Sequence, residues 1–205
     1  MKRFLLSGAF VALCGLALAG TAKADSTVDT TNNITYNATS VKVGAGEYDV
    51  TLMIDTSLFN QGAGFLTSVA MQFTDATSVT LVSAPGSLSD WTAIEGGGTN
   101  ANGCDGHGNF WCTQNTSGIA PVPAAGQYTF VFDVFGSDGS AGTDSDIKVE
   151  YSAGPNPKTS KNLGQTSQGI VLGGGTSVPE PGSLPLLGIG LIAVLGFAGR
   201  KLASA

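Results

Sequence analysis

The stretch QYTFVFDVF, residues 127–135, places an aromatic or aliphatic side chain at every second position. Tyr128, Phe130, Phe132 and Val134 therefore fall on one side of an extended chain, because successive side chains of a strand point to opposite faces. A period of two residues is typical of a β-strand with one buried face. This stretch predicts a strand at the core of the fold.

The same period of two recurs in residues 47–55 and, less regularly, along most of the chain. Further strands are predicted at residues 34–43, 65–73, 77–83, 146–151 and 169–172. Clusters of Gly, Pro, Asn and Ser separate these runs and predict turns. Residues 87–123 and 152–168 show no clear period and are predicted to be irregular. About seven to eight short strands joined by turns predict an all-β domain, an antiparallel β-sandwich.

The composition is typical of exported β-structure. Charged residues make up only 12% of the chain, and glycine occurs 30 times. Between residues 25 and 177 fourteen acidic residues face four lysines, which gives this part a net charge of about −10. Such a surplus opposes the binding of polyanions, so nucleic acid is not expected as a partner.

Residues 1–24 have the three parts of a secretory signal peptide. Two basic residues precede an apolar run, and the small-x-small site Ala22-Lys23-Ala24 follows it. A signal helix is predicted here, and signal peptidase is the expected processing partner. Cleavage after Ala24 would leave Asp25 as the first residue of a mature domain that extends to residue 172.

The C-terminal part has the pattern of a membrane segment. Residues 173–178 form a Gly-rich linker, and an apolar run of sixteen residues, 184–199, precedes Arg200 and Lys201. The run is shorter than the ~20 residues that span a bilayer comfortably, but its flanking residues extend it to one span. The basic pair is expected on the cytoplasmic side and the domain on the other side. A transmembrane helix is therefore predicted within residues 179–205.

Pro179-Glu180-Pro181, followed by the apolar run and Arg200-Lys201, resembles the PEP-CTERM sorting signal of Gram-negative bacteria. The resemblance implies exosortase, a membrane-embedded cysteine transpeptidase-like enzyme, as a processing partner. It also implies removal of the apolar tail and delivery of the domain to the cell surface or the exopolysaccharide matrix. The expected location is the cell envelope, with a transient inner-membrane anchor before the chain is displayed or secreted. A permanent C-terminal anchor is the alternative.

The domain itself resembles a group of small PEP-CTERM proteins of uncharacterised function. The resemblance lies in residues 65–71, in residues 83–86 followed by Trp91, and in residues 97–106. It implies no activity.

Cys104 and Cys112 are the two cysteines of the exported part. In an oxidising compartment, two cysteines that close a short loop are expected to form a disulfide. The loop also holds His107, the single histidine of the chain, between two glycines. A turn residue is the favoured interpretation of His107. No metal site and no cofactor are predicted, because the loop offers too few ligands.

Trp91 and Trp111 allow two interpretations. They would stack against sugar rings if the domain were a carbohydrate-binding module for matrix polysaccharide, or they would pack into the core. Packing is favoured, because tryptophan is mostly buried in folded proteins.

Two sets of acidic residues allow a chemical interpretation. Asp133 and Glu150 would form the carboxylate pair of a glycan hydrolase, the most remote interpretation. Asp138, Asp144 and Asp146 lie in a Gly/Ser-rich stretch that would offer oxygen ligands to Ca²⁺, although their spacing misses the EF-hand pattern. No catalytic residue is predicted. The sequence predicts a non-enzymatic surface or matrix protein with a structural or adhesive role linked to exopolysaccharide or biofilm.

Overall fold

The computed structural model describes residues 22–73, 76–95, 97–100, 102–105, 110–136, 145–170 and 172. These residues form two packed antiparallel β-sheets and one short 3-10 helix, Leu88–Asp90. The predicted signal helix, the Gly-rich linker and the predicted transmembrane helix lie outside the described residues. Within the described part, no helix has the length and apolar character that a membrane crossing requires.

The eleven strands of the described part build both sheets. They are β1 (Ala22–Asp29), β2 (Ile34–Gly44), β3 (Glu47–Asp55), β4 (Gly64–Phe73), β5 (Ala76–Ser83), β6 (Trp91–Glu95), β7 (Trp111–Asn115), β8 (Pro121–Val122), β9 (Gln127–Gly136), β10 (Ser145–Ser152) and β11 (Asn162–Ile170). The first sheet has the order β1-β2-β3-β9-β5. The second has the order β11-β10-β4-β7-β6, with β8 paired to β4. The prediction of an antiparallel β-sandwich is confirmed.

The core lies between the two sheets and follows the period of two. Phe130, Phe132 and Val134 of β9 are buried beside Leu52 and Ile54 of β3. The second sheet faces them with Val69, Met71, Ile147, Val149 and Tyr151. Each large apolar side chain buried in this way contributes about 1.5–3 kcal/mol. The apolar residues of the alternating pattern are therefore the ones that lie buried on the inner faces of the two sheets.

A buried polar network closes one lateral side of the sandwich, where β1 meets β11. Thr166 Oγ1 donates a hydrogen bond to Asp29 Oδ2 at 2.6 Å, and the Tyr36 hydroxyl donates to Thr166 Oγ1 at 2.8 Å. The hydroxyls of Tyr36 and Tyr151 lie 2.9 Å apart. Burial alone would raise the pKa of Asp29, but its hydrogen bonds from Thr166, Asn32 and Thr31 outweigh burial and lower the pKa. The network joins strands of both sheets.

Three parts of the structure differ from the sequence prediction. The described part has eleven strands rather than seven or eight, because residues 87–123, predicted to be irregular, contain β6, β7 and β8. The last strand runs over Asn162–Ile170 instead of residues 169–172, so the prediction of a loop at residues 152–168 is wrong in its second half. β1 was not predicted. β11 is mostly polar, β6 and β8 are short, and on β7 the neighbouring residues Cys112 and Thr113 are both buried, so none of these strands shows a clear period of two.

The predicted signal cleavage falls within a strand. Ala22, Lys23 and Ala24 belong to β1 and pair with Val41, Ser40 and Thr39 of β2. Cleavage after Ala24 stays a prediction, and it would leave residues 25–29 of β1 paired with β2.

Candidate functional site

The predicted disulfide is present and fastens a loop onto the outer face of the second sheet. Cys104 and Cys112 are joined with an S–S distance of 2.03 Å. With Ala70 of β4 and Phe110 they form a separate buried cluster on that face. The Cys104 N–H donates to Gln114 Oε1 at 3.1 Å, which fixes the loop against β7. The predicted turn residue His107 lies outside the described residues.

A fully buried carboxyl group, that of Glu150 in β10, lies beneath this loop. Ser68 Oγ donates to Glu150 Oε2 at 3.2 Å, and Asn162 Nδ2 donates to Oε1 at 3.1 Å. The backbone of Gly103 lies close to the carboxyl and also lowers its pKa, while the Gly103 N–H donates to the Asn100 carbonyl at 3.0 Å. Burial outweighs these three interactions and raises the pKa of Glu150 to about 7.

The loop reaches Glu150 through a position that requires glycine. Gly103 has a φ of 89°, in the left-handed region that side chains rarely adopt. A Cβ atom at this position would also clash with the side-chain oxygen of Gln114. Only a residue without a side chain therefore fits at position 103, between Gln114 and the carboxyl of Glu150.

The raised pKa of Glu150 predicts a domain that loses stability as the pH rises. Folding favours the protonated carboxyl, so the stabilisation is complete below pH 4.5 and is lost as the pH passes about 7. The free energy of unfolding should fall by about 2–3 kcal/mol between pH 5 and pH 8. Urea unfolding of the wild type at pH 5 and pH 8 measures this change.

Glu150→Gln is the matched control, because it keeps the size and hydrogen-bonding capacity of the side chain without its titration. The difference between wild type and variant isolates Glu150 from every other titrating group. We expect the variant to lose most of the pH dependence between pH 5 and pH 8. Identical pH profiles for the two proteins would show that Glu150 does not titrate in this range.

Two lysines border the loop. Lys148 Nζ lies 4.3 Å from the ring centroid of Phe110, within the range of a cation–π contact. Lys158 Nζ lies 3.0 Å from Asp105 Oδ2, and both side chains are about half exposed. An exposed ion pair contributes little to stability. These contacts position the loop, and the disulfide is its main restraint.

Removal of the disulfide is expected to destabilise the domain by about 2–3 kcal/mol, because the ring it closes spans only nine residues. The test is urea unfolding of the double variant Cys104→Ala/Cys112→Ala beside the wild type. A reducing agent should lower the stability of the wild type by a similar amount and leave the double variant unchanged. Equal stability of the wild type and the double variant, both without reducing agent, would contradict a stabilising role for the cross-link.

Trp91 lies in the core. Its side chain is 5% exposed, its indole N–H donates to the Pro85 carbonyl at 2.8 Å, and its ring meets Phe130 edge-on with centroids 4.8 Å apart. The ring has no free face for a sugar, so the stacking interpretation is wrong for Trp91. The packing interpretation is confirmed there.

Trp111 is half-buried and borders an open cleft of about 250 Å³ between the two sheets. The cleft lies between β5 of the first sheet and β6 and β7 of the second. Its lining residues are Val79, Leu81, Ala93, Ile94, Glu95, Trp111, Cys112, Thr113 and Phe132. Thr113 is 1% exposed, and its hydroxyl has no hydrogen-bond partner among the described residues. Trp111 is thus the predicted stacking residue that borders accessible space.

The structure separates Asp133 and Glu150, the two carboxylates of the hydrolase interpretation. Asp133 lies between the core residues Phe132 and Val134 of β9, so its side chain projects from the outer face of the first sheet. Glu150 projects from the outer face of the second sheet by the same argument. Packed sheets are about 10 Å apart, which places these carboxyls on opposite surfaces of the sandwich. They cannot flank one glycosidic bond.

The calcium hypothesis is only partly within the described residues. Asp146 is exposed at the start of β10, whereas Asp138 and Asp144 lie outside the described part. Among the side chains that the structure describes, no group of three or more His, Cys, Asp or Glu residues is arranged to hold a metal ion.

Sequence reasoning missed the Ser68–Glu150–Asn162 cluster. Glu150 occupies an outer-face position of its strand, where a carboxylate is expected in water. The cover comes from the loop that contains Gly103, far away in sequence. The cysteine pair was the one available signal for this cover. It predicts that the loop is fastened to a surface of the domain, but it does not identify that surface.

Comparison with known proteins adds a family match in sequence and several similar solved structures, three of which are described below. Residues 177–201 match the family described as the PEP-CTERM protein-sorting motif. No curated protein sequence matches this chain.

A structure from work on "pH-induced modulation of Streptococcus parasanguinis adhesion by Fap1 fimbriae" is 12% identical to this chain. The match covers 78% of this chain and 100% of that one, with a TM-score of 0.41. The N-terminal periplasmic domain of ScsB from Proteus mirabilis is 8% identical and covers 78% of this chain and 55% of that one, with a TM-score of 0.39. The major pilin subunit BcpA of Bacillus cereus is 8% identical, covers 73% and 47%, and has a TM-score of 0.30.

The matched region contains every residue of the predicted sorting signal, from Pro179-Glu180-Pro181 to Arg200 and Lys201. These residues lie outside the described structure, so the match rests on sequence. It confirms the recognition of the sorting signal, although the likeness of the domain to other small PEP-CTERM proteins stays a prediction. The chain carries a PEP-CTERM protein-sorting motif, a signal that implies export by way of the Gram-negative cell envelope and sorting by an exosortase.

Proposed function

We propose that this chain is a non-enzymatic structural or adhesive protein of an exopolysaccharide or biofilm matrix. The observation that carries the proposal is the sorting motif at residues 177–201, which follows the β-sandwich in the chain. A signal of this kind directs an exported domain to an exosortase. The β-sandwich domain, which precedes the motif in the chain, is the part that acts outside the cell.

The processing follows from the two ends of the chain. Signal peptidase removes residues 1–24, and the apolar run at residues 184–199 holds the exported domain at the inner membrane. Exosortase then acts at the Pro-Glu-Pro motif, and the domain continues to the surface or the medium. The disulfide between Cys104 and Cys112 suits this route, because disulfides persist in oxidising compartments.

The charge of the domain narrows the class of polysaccharide it would meet. With fourteen acidic residues against four lysines, the exported part repels a polyanion at neutral pH. A neutral polysaccharide is therefore the favoured matrix component. Binding to it should depend weakly on salt, since few counterions are released.

The experiment compares hosts with and without an exosortase, each expressing the full chain. With the enzyme, we expect the domain in the surface and medium fractions and stronger cohesion of the cells. Without it, the chain should stay in the inner membrane, and cohesion should fall to the level of cells that lack the chain. Surface delivery without any change in cohesion would contradict the structural or adhesive role and leave the sorting intact.

A carbohydrate-binding module is the second candidate function, and the cleft beside Trp111 favours it. The half-buried indole of Trp111 and the exposed residue Glu95 together offer one stacking surface and one polar group at the cleft. Affinity electrophoresis in gels that contain the host polysaccharide tests this candidate. Trp111→Ala should abolish retardation, whereas Leu58→Ala, at an exposed position of the β3–β4 loop, should not.

A further inference from the structure

The lateral side formed by β5, the 3-10 helix and β6 is the open side of the sandwich; we call it the β5–β6 edge. β5 is the last strand of the first sheet and β6 the last strand of the second, so each pairs on one side only among the described strands. The opposite side is closed, since β1 contacts β11 there, and Thr27 Oγ1 donates to Gln168 Oε1 at 3.4 Å. The β5–β6 edge thus contains both the unpaired backbone groups of the two edge strands and the cleft beside Trp111.

The β5–β6 edge also exposes apolar side chains. Val82 of β5, Leu88 of the 3-10 helix and Ile94 of β6 are each more than a third exposed. β5 has the sequence ATSVTLVS, with no charged residue and no proline. Charged residues and proline are the usual means by which an edge strand avoids pairing with another chain. β1, the strand at the other end of the same sheet, contains Lys23, Asp25 and Asp29.

The distribution of charge restricts where two copies of the domain can come into contact. The exported part has a net charge of about −10, so two copies repel each other across most of their surfaces. β5 itself carries no charge, whereas the acidic residues of this edge, Asp90 and Glu95, belong to the 3-10 helix and β6. An antiparallel strand can also pair with its own copy about a two-fold axis, because the same surface is then presented by both chains.

We propose that β5 of one copy pairs antiparallel with β5 of a second copy, so that the β5–β6 edge is a homodimer interface. The pairing joins two five-stranded sheets into one continuous sheet. It satisfies the unpaired backbone groups of both β5 strands and covers Val82 in each copy. The cleft that begins at Val79 and Leu81 lies directly beside the joined strands.

The test uses two full-length copies with different affinity tags, expressed in the same Gram-negative host. Wild-type copies should co-purify after membranes are dissolved in a mild detergent. Val82→Glu in both copies should reduce the recovery of the second copy at least tenfold, because two carboxylates would be placed at the joined strands. Thr80→Glu, at another exposed position of β5, should have a similar effect.

Val28→Glu is the matched control, since Val28 is a valine on the opposite edge strand with 53% exposure against 42% for Val82. It should leave co-purification unchanged. The Cys104–Cys112 bond is checked in every variant by non-reducing electrophoresis, so that loss of pairing is separated from misfolding. Wild-type copies that do not co-purify, or an equal loss in Val28→Glu, would overturn the proposal.

Discussion

Trp91→Ala is expected to lower the free energy of unfolding of the domain by about 3–5 kcal/mol. Trp91 is buried between the sheets, where its ring packs edge-on against Phe130 at 4.8 Å between centroids. Truncation to alanine leaves a cavity and also removes the indole donor that satisfies the Pro85 carbonyl. The residue begins β6 directly after the 3-10 helix, so the loss should also loosen this edge of the second sheet. Urea unfolding followed by circular dichroism measures the change.

Trp91→Phe separates the two contributions. It keeps an aromatic ring against Phe130 and loses the hydrogen bond to Pro85, so it should cost less than the alanine variant. Leu58→Ala serves as the exposed control and should change stability by less than ~0.5 kcal/mol. If Trp91→Ala costs no more than Leu58→Ala, the packing that we describe for Trp91 is incorrect.

Replacing Pro179, Glu180 and Pro181 together by alanine is expected to abolish processing of the C-terminal tail. The sorting enzyme then meets an apolar segment without its recognition motif, and the segment at residues 184–199 keeps the domain at the inner membrane. In a host with an exosortase, at least a tenfold larger share of the chain should remain in the membrane fraction. Immunoblotting of membrane and medium fractions measures the distribution.

The control variant places three alanines just upstream of the matched region, at Gly173, Gly174 and Gly175. It changes the linker and keeps the motif, so release should proceed as in the wild type. Equal release of the motif variant and the wild type would mean that the Pro-Glu-Pro sequence does not direct processing in this chain.

The strands that sequence alone predicted well are those with one face in the core and one in water. Residues 47–55 correspond to β3 without any shift, and residues 127–135 differ from β9 by one residue. On these strands the alternation of apolar and polar residues is itself the energetic reason for the fold, because one face is buried and the other solvated. Local sequence was therefore sufficient.

The strands that were missed are not governed by that alternation. β11 is an edge strand rich in Asn, Gln, Ser and Thr, and hydrogen bonds to β10 fix its position. On β7, Cys112 and Thr113 are both buried, one beneath the loop and one between the sheets. A strand covered on both faces by residues distant in sequence has no period of two to detect.

The candidate site shows the same limit. The short loop between the two cysteines and the oxidising compartment expected for an exported chain were sufficient to predict the bond between Cys104 and Cys112. Nothing local to Glu150 indicated that its carboxyl would be buried, which raises its pKa. Trp91 and Trp111 looked alike in sequence, and only their positions between the sheets distinguish a core residue from one that borders a cleft.

The intact mass of the wild-type chain, isolated from the surface or medium of a host with an exosortase, tests the central claim most directly. We predict a mature protein that lacks both the signal peptide and the tail, so that Arg200, Lys201 and residues 202–205 are absent from the measured mass. A mature protein that still carries residues 202–205 would contradict processing at the sorting motif and would show that the segment is a permanent anchor.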